Sequence, residues 1–225
     1  MTITVEEKKN HDKARHVICA FTLDRARRRY AGHEIPVTDL DEKLTGETIY
    51  DLTSDLELDT RLCLLTSAIG DLVAGTRPFE DRARHLVDVP RLLRKHVEDL
   101  AKIPEYCKQR KKNGGKRAGG PIMYDGFIDP SDILFGDAAF DRAFRRRAGE
   151  NLEITKDDID GTFALIRQLM TGIDWIVLII VTAKAIVEES DGLPQEDVMT
   201  QLEGLIRKIV VESDTMNLTF DGPMN

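Results

Sequence analysis

The stretch Ile173-Asp174-Trp175-Ile176-Val177-Leu178-Ile179-Ile180-Val181-Thr182-Ala183-Lys184-Ala185-Ile186-Val187 decides the fold. It is apolar on nearly every face, so it must be surrounded by protein. Its Ile and Val density also suits a buried strand. The flanks 162–170 and 183–189 carry helical spacing, and they select the central helix of an all-α bundle. A membrane span needs about 20 apolar residues. The uninterrupted run from Trp175 to Val181 is too short, and Asp174, Lys184, Glu188 and Glu189 bracket it. Trp175, Ile176, Ile179 and Ile180 are expected to face a second copy of the chain, which predicts a homodimer.

Helical signals extend outward in both directions. A first helix is expected over 5–30, where Ala14, Val17, Ile18 and Phe21 recur at helical spacing, Arg25, Arg27, Arg28 and Arg29 fill the last turns, and Gly32 stops it. Short helical turns follow over 38–50, with Thr38 as N-cap and Asp41 three residues on. Ser54 is expected to cap the next helix, whose apolar stripe is Leu58, Leu62, Leu65, Ile69, Leu72 and Val73. Two further pieces are expected over 79–87 and from Asp88, with Pro90 early in the second. Another opens at 129–132 and ends in Arg145, Arg146, Arg147 and Gly149. Thr155 caps the helix that leads into the apolar stretch. A last helix runs from 194 to 211, followed by an edge strand or an unstructured end at 216–220. About six to eight helices are expected, in one domain or in two lobes around the apolar helix. The corresponding boundaries are 1–112, a basic linker at 113–130, and 131–225. No period of 20–50 residues repeats, so a solenoid is not indicated.

The chain has 225 residues, with 32 Lys and Arg against 40 Asp and Glu, a net charge of −8. This apolar content excludes a disordered chain. The acidic balance argues against a nucleic-acid binder with a basic field over its whole surface. Cys19, Cys63 and Cys107 form no framework or C-x-x-C pair and suit reduced thiols in the cytoplasm. The N-terminus turns charged before any signal-like apolar run can build.

Charge is segregated along the chain. Basic clusters lie at 25–29, at 108–117 and at 145–147. Residues 39–59 carry eight acids against Lys43, and the region from 188 onward carries nine acids against two bases. Such blocks pair with one another, with a second copy or with a charged partner. The glycine-rich segment with Lys108, Arg110, Lys111, Lys112, Lys116 and Arg117, together with Arg145, Arg146 and Arg147, is the candidate partner- or phosphate-binding set.

Catalytic constellations are sparse. His11-Asp12 lacks an upstream metal ligand. His16 and Cys19 lack a second ligand pair. Residues 156–167 fail as a calcium loop because Lys156 and Arg167 occupy its ligand positions. Glu150-x-x-Glu153 and Glu188-x-x-Asp191 resemble the paired acids of all-α nucleotide pyrophosphohydrolases, which bind magnesium, although the first pair falls in a loop. No cofactor is expected. The sequence favours a non-catalytic cytoplasmic interaction protein: an adaptor, inhibitor or subunit of a larger assembly that meets a protein partner through charged surfaces. The alternatives are a nucleic-acid-binding accessory protein using the basic segment and a magnesium-dependent nucleotide hydrolase.

Overall fold

The computed structural model describes residues 5–75, 79–103, 132–189 and 195–220, and these form eight helices and no strand. They are α1 (Val5–Tyr30), α2 (Asp39–Thr53), α3 (Leu58–Gly75), α4 (Phe79–Ala101), α5 (Asp132–Arg147), α6 (Lys156–Leu169), α7 (Ile176–Glu189) and α8 (Gln195–Phe220). The all-α expectation holds. No helix among the described residues is long and apolar enough to cross a membrane.

Two helical corners organise helices α1, α2, α5 and α6. At the end of α1, Gly32 takes φ +85°, and its N–H reaches the Arg29 carbonyl at 2.9 Å while the His33 N–H reaches Arg28 at 3.0 Å. Glycine adopts this left-handed turn without the Cβ penalty that other residues carry. The chain then runs extended to Thr38, where a complete capping box opens α2: the Asp41 N–H donates to Thr38 Oγ1, and Asp41 Oδ2 accepts from the Thr38 N–H. Arg25 reaches back from α1 and grips Asp41 with a two-pronged fork, Nε to Oδ1 at 2.7 Å and Nη2 to Oδ2 at 3.0 Å. The second corner joins α5 to α6 in the same manner. Gly149 has φ +98°, Thr155 and Asp158 form the box, and Arg142 grips Asp158 at 2.6 and 3.0 Å.

The chain divides into two compact units, and each draws on both halves of the sequence. The first contains α1, α2, α5 and α6, with α1 against α2 and α6, α2 against α5 and α6, and α5 against α6. Gly136 lets α5 approach α6 closely, since a Cβ there would meet the Leu165 side chain at 3.2 Å. The second unit contains α3, α4, α8 and nearly all of α7, with α8 packed on α3 and α4. Gly70 plays the corresponding part here, because a Cβ on it would lie 3.0 Å from Ile209 of α8. Among the described residues the chain passes between the units at 57/58 and 177/178.

Several boundaries differ from the sequence expectation. Residues 39–53 form one continuous helix, and Ser54 is its C-cap rather than the N-cap of α3. Pro90 lies inside α4, which runs unbroken from 79 to 101. Helix α8 continues to Phe220, so residues 216–220 are helical rather than a strand or loose end. On α1 the buried positions are Cys19, Thr22, Leu23, Ala26 and Arg29, whereas Val17, Ile18 and Phe21 lie on the exposed side. The apolar spacing there marked an outer face. The inner face is held by small, polar and charged groups that match ion pairs.

Asp158 is buried. Desolvation pushes its carboxyl up, but the Arg142 fork and the Thr155 bonds outweigh this and hold it at about 2. The Arg25 fork holds Asp41 well below the usual carboxylate range. Depressed carboxylates contribute stability that is fully present above the unfolded value of about 3.9 and is lost as pH falls through the folded value. Unfolding free energy is therefore expected to drop steeply between about pH 4 and pH 2. Asp158→Asn should cost about 2–3 kcal/mol at pH 7 and flatten that acid limb. Urea titrations at pH 7 and pH 3 check this, and an equal loss at both values would contradict it.

Candidate interaction surfaces

The basic clusters and the acidic block meet one another inside the first unit. Asp51, on the buried side of α2, accepts from Arg15 Nε at 2.8 Å and lies 2.9 Å from Arg147 Nη1. Arg15 also donates to Glu47 at 2.8 Å. Arg147 donates to Ser54 Oγ at 2.7 Å, and its guanidinium lies over the Phe144 ring. Arg146 pairs with Asp55 and stands 3.3 Å from Asp158. Arg29 donates to the Thr171 carbonyl and approaches Asp41. Arg27 bridges Gln168 at 2.9 Å and Asp137 at 2.7 Å. Four of the eight acids expected to form a solvated or partner-facing surface, Asp41, Glu47, Asp51 and Asp55, are thus partners of Arg15, Arg25, Arg146 and Arg147. Fork geometry explains the preponderance of arginine, since guanidinium matches carboxylate two bonds at a time.

Cys19 shares this environment, with Sγ 3.7 Å from Asp51. Burial pushes its thiol up to about 11, which leaves it protonated and a poor nucleophile near neutral pH. His16 stacks against Phe140 and Phe144 at ring-centroid distances of 5.3 and 4.8 Å.

The candidate residues from the sequence fall in different places. Lys108, Arg110, Lys111, Lys112, Lys116 and Arg117 lie outside the described residues. Arg145, Arg146 and Arg147 do not share one outward face. The Arg146 side chain is 7% exposed, Arg147 is turned onto Asp51, and Arg145, 47% exposed, pairs with Glu150 and Asp141. Among the four residues assigned to a dimer face, Ile179 is fully buried, Trp175 and Ile176 are half-buried, and Ile180 is 42% exposed.

Two acids of the hydrolase alternative, Glu150 and Glu188, have basic neighbours. Glu150 binds Arg145, the Glu153 carbonyl accepts from Arg142, and buried Glu188 lies 3.8 Å from Lys184. Asp191 lies outside the described residues. No group of three or more potential metal ligands converges among the described residues.

A surface that the sequence did not single out lies in the second unit. Leu86, Val87 and Pro90 of α4 line a groove of about 430 Å³, with Arg91, Arg94, Lys95 and Glu98 on the same helix and Glu203 and Arg207 across from them on α8. Arg94 is held by Glu196 at 2.5 Å and Glu203 at 2.9 Å. Arg91, Lys95 and Arg207 are exposed along the rim, and Val87 is an exposed apolar side chain beside them. Only the packing of α4 on α8 brings these residues together, so neither helix announces the groove alone.

Compared with protein-family models, curated proteins and solved structures, the chain matches none of them.

The placement of the 145–147 cluster separates neighbouring arginines sharply. Arg146→Ala strips Asp55 of its partner in a buried setting and should destabilise by about 3–5 kcal/mol. Arg145→Ala removes an exposed, solvent-screened pair and should leave stability nearly unchanged. Chemical denaturation of the two variants gives the comparison, and similar losses would contradict the inward placement of Arg146.

Proposed function

We propose that the protein is a non-catalytic helical interaction protein, an adaptor, inhibitor or subunit of a larger assembly, that engages a protein partner through a charged surface. The observation that carries this is the α4–α8 groove, with an apolar lining at Leu86, Val87 and Pro90 and a charged rim on which Arg91, Lys95 and Arg207 outnumber the exposed Glu98. Apolar contacts at the centre of an interface supply most of its affinity, and rim charges steer the encounter and fix register. An acidic amphipathic segment has the complementary chemistry, with an apolar face for the lining and carboxylates for the rim. The sequence assigned the charged contact to residues 108–117 and 145–147. Inward pairing of Arg146 and Arg147 shifts the weight to the groove.

The test is affinity capture from native lysate with the tagged full-length chain, in nuclease-treated and untreated halves, beside the Arg91→Glu, Lys95→Glu, Arg207→Glu triple variant. A discrete protein that survives nuclease, falls at least about tenfold in the triple variant and leaves the thermal midpoint unchanged is the expected result. Equal capture by wild type and variant would remove the groove from the proposal. Nuclease-sensitive recovery of nucleic acid in place of a protein would overturn the protein-partner assignment.

A further inference from the structure

The two corners are equivalent in sequence as well as in shape. Asp24, Arg25, Ala26, Arg28, Arg29, Ala31, Gly32, Thr38 and Asp41 recur as Asp141, Arg142, Ala143, Arg145, Arg146, Ala148, Gly149, Thr155 and Asp158. Every pair is separated by 117 residues. Ile35 and Val37 are matched by Leu152 and Ile154 at the same shift. The register extends well beyond the corner. It carries the end of α1 at Tyr30 onto the end of α5 at Arg147, and the start of α2 at Asp39 onto the start of α6 at Lys156. It brings the starts of α3 and α4 to within one residue of those of α7 and α8.

Backbone bonds obey the same shift. The Ala31, Gly32, His33 and Ile35 N–H groups donate to Arg27, Arg29, Arg28 and His33. Those of Ala148, Gly149, Glu150 and Leu152 donate to Phe144, Arg146, Arg145 and Glu150. Arg25 Nη2 donates to the Pro36 carbonyl, and Arg142 Nη2 donates to Glu153, its counterpart.

Within the first unit, contacts between the copies are reciprocal. Arg29 of the first copy lies against the turn after α6, donating to Thr171 and passing 4.0 Å from the Cβ position of Gly172. Its equivalent, Arg146, lies against the turn after α2 and binds Asp55, the residue equivalent to Gly172. Helix α1 packs on α6 while α5 packs on α2, and α2 meets its own equivalent α6. An interface in which residue i touches j of the other copy, and j touches i, is the signature of a two-fold dimer.

We infer that this chain is a tandem duplication whose two copies, residues 5–103 and 132–220, pair about a local two-fold in the first unit and share the second, each copy being the other's obligatory partner. Every compact unit takes two helices from each copy: α1 and α2 with α5 and α6, and α3 and α4 with α7 and α8. Neither copy owns a complete unit. The connection through residues 104–131 therefore sets the local concentration of the copies and is not what holds them together.

The test inserts a site-specific protease recognition sequence between Gly114 and Gly115 of the full chain, cuts the folded protein, and measures mass and cooperativity. The two fragments should co-elute with the mass of the uncut protein, unfold in one transition and separate only in denaturant. A tag on one fragment should recover the other in equal amount. Fragments that elute apart while each keeps its helical circular dichroism would overturn the inference, because they would be independent domains. As a second variant, Arg29→Ala combined with Arg146→Ala removes the reciprocal contacts. After cutting, it should release the fragments at a denaturant concentration below that of the cut parent, and release at the same concentration would count against the reciprocal interface.

Discussion

The guanidinium fork on an N-cap carboxylate is the interaction on which the rest of the first unit depends. A capping box alone satisfies two orphan N–H groups and fixes where a helix begins. When its acid is also gripped by an arginine from the preceding helix, the angle between two helices is fixed by the same four atoms. Arg25 on Asp41 and Arg142 on Asp158 do this twice. A second arginine one turn on, Arg29 or Arg146, leaves the fork free to form and carries the corner onto the turn that follows the other copy's second helix. Local capping and long-range assembly therefore share a single pair of carboxylates.

Much of the helical content was legible because the signals are local. Apolar periodicity, Thr38 and Thr155 as caps, and Gly32 and Gly149 as stops lie within a few residues of the features they specify. Ser54 and Pro90 misled for a common reason, since each is compatible with a helix start and neither compels one. Pro90 removes one N–H, yet α4 runs through it with Val89 and Leu93 buried on either side. The burial of neighbouring side chains outweighs a single lost bond.

Charge was harder to place, and arginine is the reason. Clusters such as 25–29 and 145–147 look like outward patches in a linear sequence, as does the acidic run at 39–59. Each is one half of a complementary set separated by up to about a hundred residues, and only tertiary structure joins the halves. Exposure on α1 was inverted for the same reason. Arg29 takes an inner position where the Thr171 carbonyl and Asp41 accept from it, Thr22 turns its hydroxyl back onto the Ile18 carbonyl of its own helix, and Val17 and Phe21 take the outer side. The duplication escaped a search for short periods because its shift is 117 residues. Substitutions such as Arg27 to Phe144 and Tyr30 to Arg147 obscure it even within the corner.

Divergence between the copies is as informative as their agreement. Positions that agree build the corner. The Asp51 cluster, by contrast, exists once, since Arg15, Cys19, Glu47 and Asp51 stand against Asp132, Gly136, Ala164 and Gln168 at the same shift. The groove in the second unit follows this logic. Leu86 and Pro90 on one wall are equivalent to Glu203 and Arg207 on the other, so the groove lies where α4 and α8 meet at matching positions. A symmetric pair of identical chains must present the same side chain on both walls of such a groove. A duplicated chain is released from that constraint and can place different side chains at equivalent positions of the two walls. Leu86 and Pro90 on α4 stand opposite Glu203 and Arg207 on α8, and Arg91, Arg94, Lys95 and Glu98 add charge to the α4 wall, so the two copies have diverged at the positions that line the groove.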